Sequence, residues 1–347
     1  MLNIYIHKKL DKLSHIPLLD YYFGRSNLGV ERYGDQAIGL LNKQFFNLVM
    51  SPEEADYFLI PHNFFYIKDQ KYLDDFVGLS KKYNKKIIIF SYGDSDNDIN
   101  IPNSIIFRSS QYAYKARRNE IIMPAIADDL SIGLDLRPRQ KSEKPVVGFC
   151  GWADYPNFYR AIIENIKSTV VSFKSVFIGN YYYQKRGLMF RIEAIKHLRK
   201  SNLLQANFII RDTFSGNEKT RKIDPKVARE EYIKNILESD MSLAVKGDGN
   251  FSIRFYEILS LGRIPILVDT SCPLPLKDIV KYSDFSVRVD SKNLSNLSET
   301  ILKFYTNLSE DQFIMMQKNA KITFDSYLRI DQFFSYTFTA EFLKKFD

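Results

Sequence analysis

Short apolar runs alternate with longer helical patterns along the whole chain. Runs at 2–7, 55–61 and 87–91 are brief and rich in Ile, Leu and Phe, as buried parallel strands are. Two more lie at 105–108 and 121–123. Helical spacing fills about 34–49 and 72–83, and the Ser51-Pro52-Glu53-Glu54 turn closes the first of these and introduces the next strand. A polar stretch at 137–144, Arg-Pro-Arg-Gln-Lys-Ser-Glu-Lys, then interrupts the pattern as domain linkers do.

Beyond it the alternation restarts. Strands are expected at 146–150, 175–178, 208–211, 242–245, 264–268 and 285–289. Helices are expected at 157–171, 188–200, 226–239, 253–261 and 294–305. An aromatic-rich tail at 332–345 reads as helix. The pattern predicts an α/β protein with two Rossmann-like, doubly wound domains, 1–140 and 141–330, and a helix at 331–347 that packs back on the first domain. Ligands of open parallel sheets lie beyond the carboxyl ends of the strands. Two such domains in tandem therefore predict a site in the cleft between them.

Composition narrows the function classes. The chain has 347 residues, enough for two cores, and its 45% hydrophobic and 26% charged content excludes a disordered chain. The net charge of +8 comes without a recognised nucleic-acid motif, so no nucleic-acid partner is expected. A basic face suits a nucleotide diphosphate or an anionic membrane surface instead. Cys150 and Cys272 have neither the number nor the spacing for a disulfide framework or a zinc site, and read as small buried hydrophobes of a cytoplasmic protein. Residues 1–7 alternate like a strand rather than a signal peptide. No apolar run reaches about 18 residues, so any membrane contact would be peripheral, at the inner membrane face.

The most informative stretch is Lys246-Gly247-Asp248-Gly249-Asn250-Phe251-Ser252-Ile253-Arg254-Phe255-Tyr256-Glu257. A strand runs into a two-glycine loop and a helix starts near Ser252, as N-cap. Free amides and the helix dipole there favour phosphate. Arg254 sits in the first turn, where a cation is unfavourable for the helix itself but suits a diphosphate. Glu257 follows three residues later on the same face, placed to accept ribose hydroxyls. Spacing alone is equally compatible with a glycine turn and a surface Arg–Glu pair.

Several other classes are excluded. The first strand is not followed by Gly-x-Gly-x-x-Gly, which removes the dinucleotide-dependent oxidoreductases, and no Gly-Lys-Ser/Thr marks a P-loop. The acidic run Gly93-Asp94-Ser95-Asp96-Asn97-Asp98 imitates a calcium loop, but its sixth and twelfth positions are Ile99 and Ile105. The four histidines form no metal pair; His62 ends a strand and reads as structural.

Residues 232–289 resemble the exostosin family of glycosyltransferases. The family pattern is matched by Ser239, Gly247 or Gly249, Ser252-Ile253-Arg254, Glu257, Gly262-Arg263-Ile264-Pro265-Ile266, Leu274-Pro275-Leu276 and Phe285-Ser286-Val287. Upstream, 52–61, Ile121-Ile122-Met123-Pro124 and Val147-Gly148-Phe149-Cys150-Gly151 lie where the family places related segments. Lys246 stands where animal members carry Pro-Arg, Ile258 stands where they carry Ala, and their second transferase module is absent. Donor and acceptor identity therefore do not carry over.

The resemblance implies a GT-B fold and inverting transfer from a nucleoside-diphosphate sugar, UDP-linked, without a metal. A glycan or lipid-linked glycan acceptor is implied, as in surface polysaccharide, capsule or lipopolysaccharide synthesis. Arg254, assisted by Arg211, would offset the leaving diphosphate's charge. Gly148 and Gly151 would let the loop after the strand approach a substrate, and Lys246, Gly247, Gly249, Asn250 and Ser252 would complete the donor site. Inversion needs a general base; Asp94 and Asp96 are the candidates, with Glu31 and Asp35 as rivals. The competing reading is a non-catalytic nucleotide-sugar or glycan-binding protein of the same fold.

Overall fold

The computed structural model describes residues 1–25, 34–155, 157–214 and 222–346. The chain divides into two units, Met1–Asp128 with Pro273–Leu276 and Ser326–Asp347, and Asp129–Cys272 with Lys277–Asp325. The division falls at Asp128, ahead of the basic stretch at 137–144. That stretch is stitched into the second unit. Arg139 pairs with the buried Asp240 at 2.8 Å, and its backbone exchanges hydrogen bonds with the Gln317 side chain.

The first unit is a six-stranded parallel sheet. Its strands are β1 (Asn3–Tyr5), β2 (Asn47–Val49), β3 (Tyr57–Asn63), β4 (Ile87–Ser91), β5 (Ser104–Arg108) and β6 (Glu120–Ile122), in the order β2-β1-β3-β4-β5-β6. Helices α1 (Asp20–Phe23), α2 (Asp35–Gly39) and α3 (Gln70–Tyr83) connect them. The expected long helix at 34–49 is instead the five-residue α2, a loop and the edge strand β2. Phe45 and Phe46 of the loop are drawn into the core, and the Asn47 amide pairs with the Leu2 carbonyl. Successive strand residues point to opposite faces. Leu59, Ile88, Phe90, Ile105 and Phe107 line one face, and Phe58, Ile60, Ile87, Ile89 and Ile106 line the other, under α3.

The second unit is a five-stranded parallel sheet. It comprises β7 (Val146–Trp152), β8 (Gln205–Arg211), β9 (Met241–Ala244), β10 (Ile264–Asp269) and β11 (Val287–Asp290), in the order β11-β10-β9-β7-β8. Its helices are α4 (Phe158–Phe177), α5 (Gly187–Lys200), α6 (Pro225–Leu237), α7 (Ile253–Ser260), α8 (Leu297–Thr306) and α9 (Glu310–Thr323). The expected strand at 175–178 is the last turn of α4 and the residue after it. The Tyr181-Tyr182-Tyr183 run that follows lies in a 3-10 segment, Gly179–Gln184. Helix α9 was not expected from the periodicity. A capping box opens it: the Ser309 side chain accepts from the Gln312 amide while Gln312 reaches back.

After α9 the chain returns to the first unit as α10 (Ile330–Thr337) and α11 (Ala340–Leu343). Phe334 of α10 meets Phe90 and Phe107 edge-on or tilted at 5.8 and 6.1 Å, and those two rings stack on each other at 5.0 Å. Each unit is thus an α/β body built on one sheet, as the alternation of strand and helix predicts. Among the described residues no helix is long and apolar enough to cross a membrane.

Candidate functional site

In the second unit the chain leaves β7 for β8 on one side and returns as β9 on the other. The strand order thus reverses between β7 and β9, and ligands of such sheets gather at the carboxyl ends beside that reversal. The Lys246–Glu257 motif starts there. After β9 the Gly247 amide donates to the Phe251 carbonyl, closing a turn. A side chain at Gly247 would meet nothing within 4 Å, so this stretch of backbone is open to a ligand.

Arg254 lies in the first turn of α7. Its Nη2 donates to the Cys150 carbonyl at 2.7 Å, and its guanidinium stacks 4.1 Å from the Phe149 ring. Gly151 follows at φ +144°, and a Cβ there would stand 2.7 Å from Nη2 of Arg254. The glycine therefore gives the guanidinium its room. The Nε of Arg254 is buried and has no hydrogen-bond partner. The same holds for Ser252 Oγ: Ser252 occupies the N-cap position in extended geometry, but its side chain does not cap α7. Two buried polar atoms at the start of α7 thus lack a hydrogen-bond partner within the protein.

A second guanidinium escaped the sequence reading. Arg191, in the second turn of α5, donates to the Trp152 carbonyl at 3.4 Å and to the Lys246 carbonyl at 3.0 Å. It bridges the ends of β7 and β9. Burial lowers its pKa, and the positive charge of Arg254 lowers it further. The Asp248 carboxylate acts in the opposite direction and partly offsets the two like charges at this strand reversal. Gly187 brings α5 this close, because any Cβ there would collide with the Lys246 and Gly247 carbonyls. In sequence Arg191 was one basic residue among several on an ordinary helix.

The other expected donor residues make contacts of their own within the second unit. Glu257 is buried and accepts the Tyr232 hydroxyl at 2.6 Å. Burial raises the Tyr232 pKa well above its ordinary value, and the Glu257 charge adds to this. The Tyr232 ring lies 5.3 Å from the Arg254 guanidinium, so Tyr232 links Glu257 to Arg254. Asn250 takes the Thr270 hydroxyl at 2.6 Å and reaches the Ser271 carbonyl, pinning the loop to the end of β10. Lys246 is buried, with Nζ on the Tyr183 carbonyl at 2.7 Å. Arg211 ends β8 and pairs with Glu231 at 2.8 Å.

Gly148 lies inside β7, and the space of its missing Cβ is filled by Ser239 and the Asn235 carbonyl, which lets α6 pack on the strand. Gly249 is buried within the loop. Cys150 and Cys272 are buried and form no disulfide, and burial raises both thiols, Cys272 to about 12.

The base candidates belong to the first unit. The acidic loop after β4 is held by the fully buried Arg108, which pairs with Glu120 at 2.7 Å and donates to the Ser95 and Asn97 carbonyls. Asp96 is ion-paired with Lys115 at 2.7 Å, and Asp94 is exposed. Asp35 pairs with Arg25 at 2.5 Å. Glu31 lies outside the described residues. His62 is buried and structural: Nε2 accepts the Leu10 amide at 2.8 Å and Nδ1 faces the Ser14 carbonyl at 2.9 Å. Among the described residues no group of three or more His, Cys, Asp or Glu is placed to hold a metal ion.

Residues 164–304 match the family model of the exostosin GT47 domain. No curated protein matches the sequence. Solved structures similar to the chain include a glycosyltransferase from Rickettsia africae ESF-5, 12% identical over 99% of this chain and 98% of that one, with a TM-score of 0.40. Anabaena Alr3699/HepE in complex with UDP-glucose is 9% identical over 99% of this chain and 100% of that one, with a TM-score of 0.37. TarM is 10% identical over 75% of this chain and 55% of its own, with a TM-score of 0.31.

Proposed function

Starting from an exostosin GT47 domain at residues 164–304, we propose that this protein transfers a sugar from a UDP-sugar to a glycan acceptor, with inversion and without a metal. The observation that carries the reading is the Arg254–Arg191 pair at the β7/β9 reversal, beside the unpartnered Arg254 Nε and Ser252 Oγ. A nucleoside diphosphate supplies the missing negative charge and acceptor oxygens. As the bond from the anomeric carbon to the diphosphate oxygen breaks, negative charge grows on the leaving group. Fixed guanidiniums stabilise it without reorganising. Glu257 and Tyr232 orient Arg254, and Gly151 leaves it space. Asp94 or Asp96 would be the base that takes the acceptor hydroxyl proton.

Incubation with a panel of UDP-sugars and glycan acceptors, with UDP release as the readout, tests this. Acceptor-dependent release that persists in EDTA is expected, with a loss of about 100-fold or more in Arg254→Ala. Release that vanishes in EDTA and returns with Mn²⁺ would remove the metal-free mechanism. No release from any donor would remove the transferase reading.

A further inference from the structure

Helix α4 is amphipathic in the reverse sense to its neighbours. Phe158, Ile162, Ile166, Val170, Phe173 and Phe177 fall within an arc of about 120° at helical spacing, and all six face solvent. Phe158, Phe173 and Phe177 are 76%, 67% and 76% exposed. The opposite side of the helix is the one tied to the protein. Glu164 there is buried, 3.3 Å from Arg186 and 3.2 Å from Lys167. A run of twenty residues spans about 30 Å, so the apolar arc is long as well as wide. Scattered exposed hydrophobes need no explanation, but a contiguous stripe of this size marks a contact surface.

We propose that α4 lies in the surface of an anionic lipid membrane, with its apolar arc among the acyl chains near the headgroups. Charge selects this occupant. Glu164 is the sole acidic residue of α4 and is neutralised inside the protein, whereas Lys167 and Lys174 are exposed. The helix therefore presents positive charge beside its apolar arc, on a chain of net charge +8. A second copy of the chain, packed face to face about a two-fold axis, would bring like charges together. An anionic lipid surface complements them. The inference stands whether or not the chain transfers sugar.

Co-sedimentation of the full chain with vesicles tests it. Vesicles of roughly two parts phosphatidylcholine to one part phosphatidylglycerol should carry the protein down, and pure phosphatidylcholine should carry far less, with the difference shrinking as salt rises. Phe173→Ser combined with Phe177→Ser should weaken binding by about tenfold or more, from the apolar area withdrawn. Both positions are exposed, so the melting temperature should be unchanged. Lys174→Glu should reduce the preference for phosphatidylglycerol. Wild-type protein that stays in the supernatant with both vesicle types overturns the proposal. So does lipid-free self-association abolished by the Phe173→Ser and Phe177→Ser pair, which would assign the face to a second copy.

Discussion

The residues of the candidate site show which positions a sequence reveals. Arg254 stands out because a cation in the first turn of a helix opposes the helix dipole, a conflict visible without a structure. Arg191 carries no such mark, because a cation in the second turn of α5 breaks no local rule. Only the parallel pairing of β7 and β9 makes it a neighbour of Arg254. Glu257 was legible as a partner of this helix face, but its bond to Tyr232 depends on where α6 packs. Gly151→Ala should be doubly unfavourable, since φ is +144° and Cβ would press on Arg254. The backbone strain predicts a stability loss of about 1–3 kcal/mol in denaturant titration, with weaker UDP binding in the variant. His62 supplies a pH dependence. Burial lowers its pKa, so the unfolded chain takes up the proton first as pH falls. Stability should be fully present above about pH 6.5 and decline as pH drops toward the lower folded-state pKa. Melting temperatures of wild type and His62→Gln across that range check this; a wild type no more acid-sensitive than the variant would contradict it.

At the scale of elements, buried parallel strands were read well because an unbroken Ile-Ile-Ile-Phe run, as in β4, has one stable setting, between two covered faces. Errors fell where periodicity is shared between states. The apolar run at the end of α4 has the composition of a strand, and only its continuity with the preceding turns makes it helix. The region before β2 keeps helical spacing, yet Phe45 and Phe46 are held in the core by a loop. Helix α9 left a readable sign in its Ser309/Gln312 capping box, which apolar spacing alone passes over. The aromatic tail was legible as a helix, and α10 proves to be one layer of the first unit's core. Phe334→Ala should cost about 3–5 kcal/mol in chemical unfolding, because its buried ring packs against the stacked pair Phe90 and Phe107. A loss below about 1 kcal/mol would mean that α10 is not part of that core.

For the whole molecule, the alternation of strand and helix was enough to read two parallel α/β units, since parallel strands demand crossover helices. It was not enough to place their limits. The basic stretch at 137–144 has linker composition, but Asp240 and Gln317 hold it against the second unit, and distant partners of that kind leave no local trace. The central claim is that the β7/β9 reversal holds a nucleoside diphosphate between Arg254 and Arg191. Calorimetric titration of UDP into wild type and Arg254→Ala, with EDTA present, tests it most directly. Saturable wild-type binding, weakened about tenfold or more in a variant that still folds, is the predicted result. Equal affinity in the two proteins, or no wild-type binding, would contradict it.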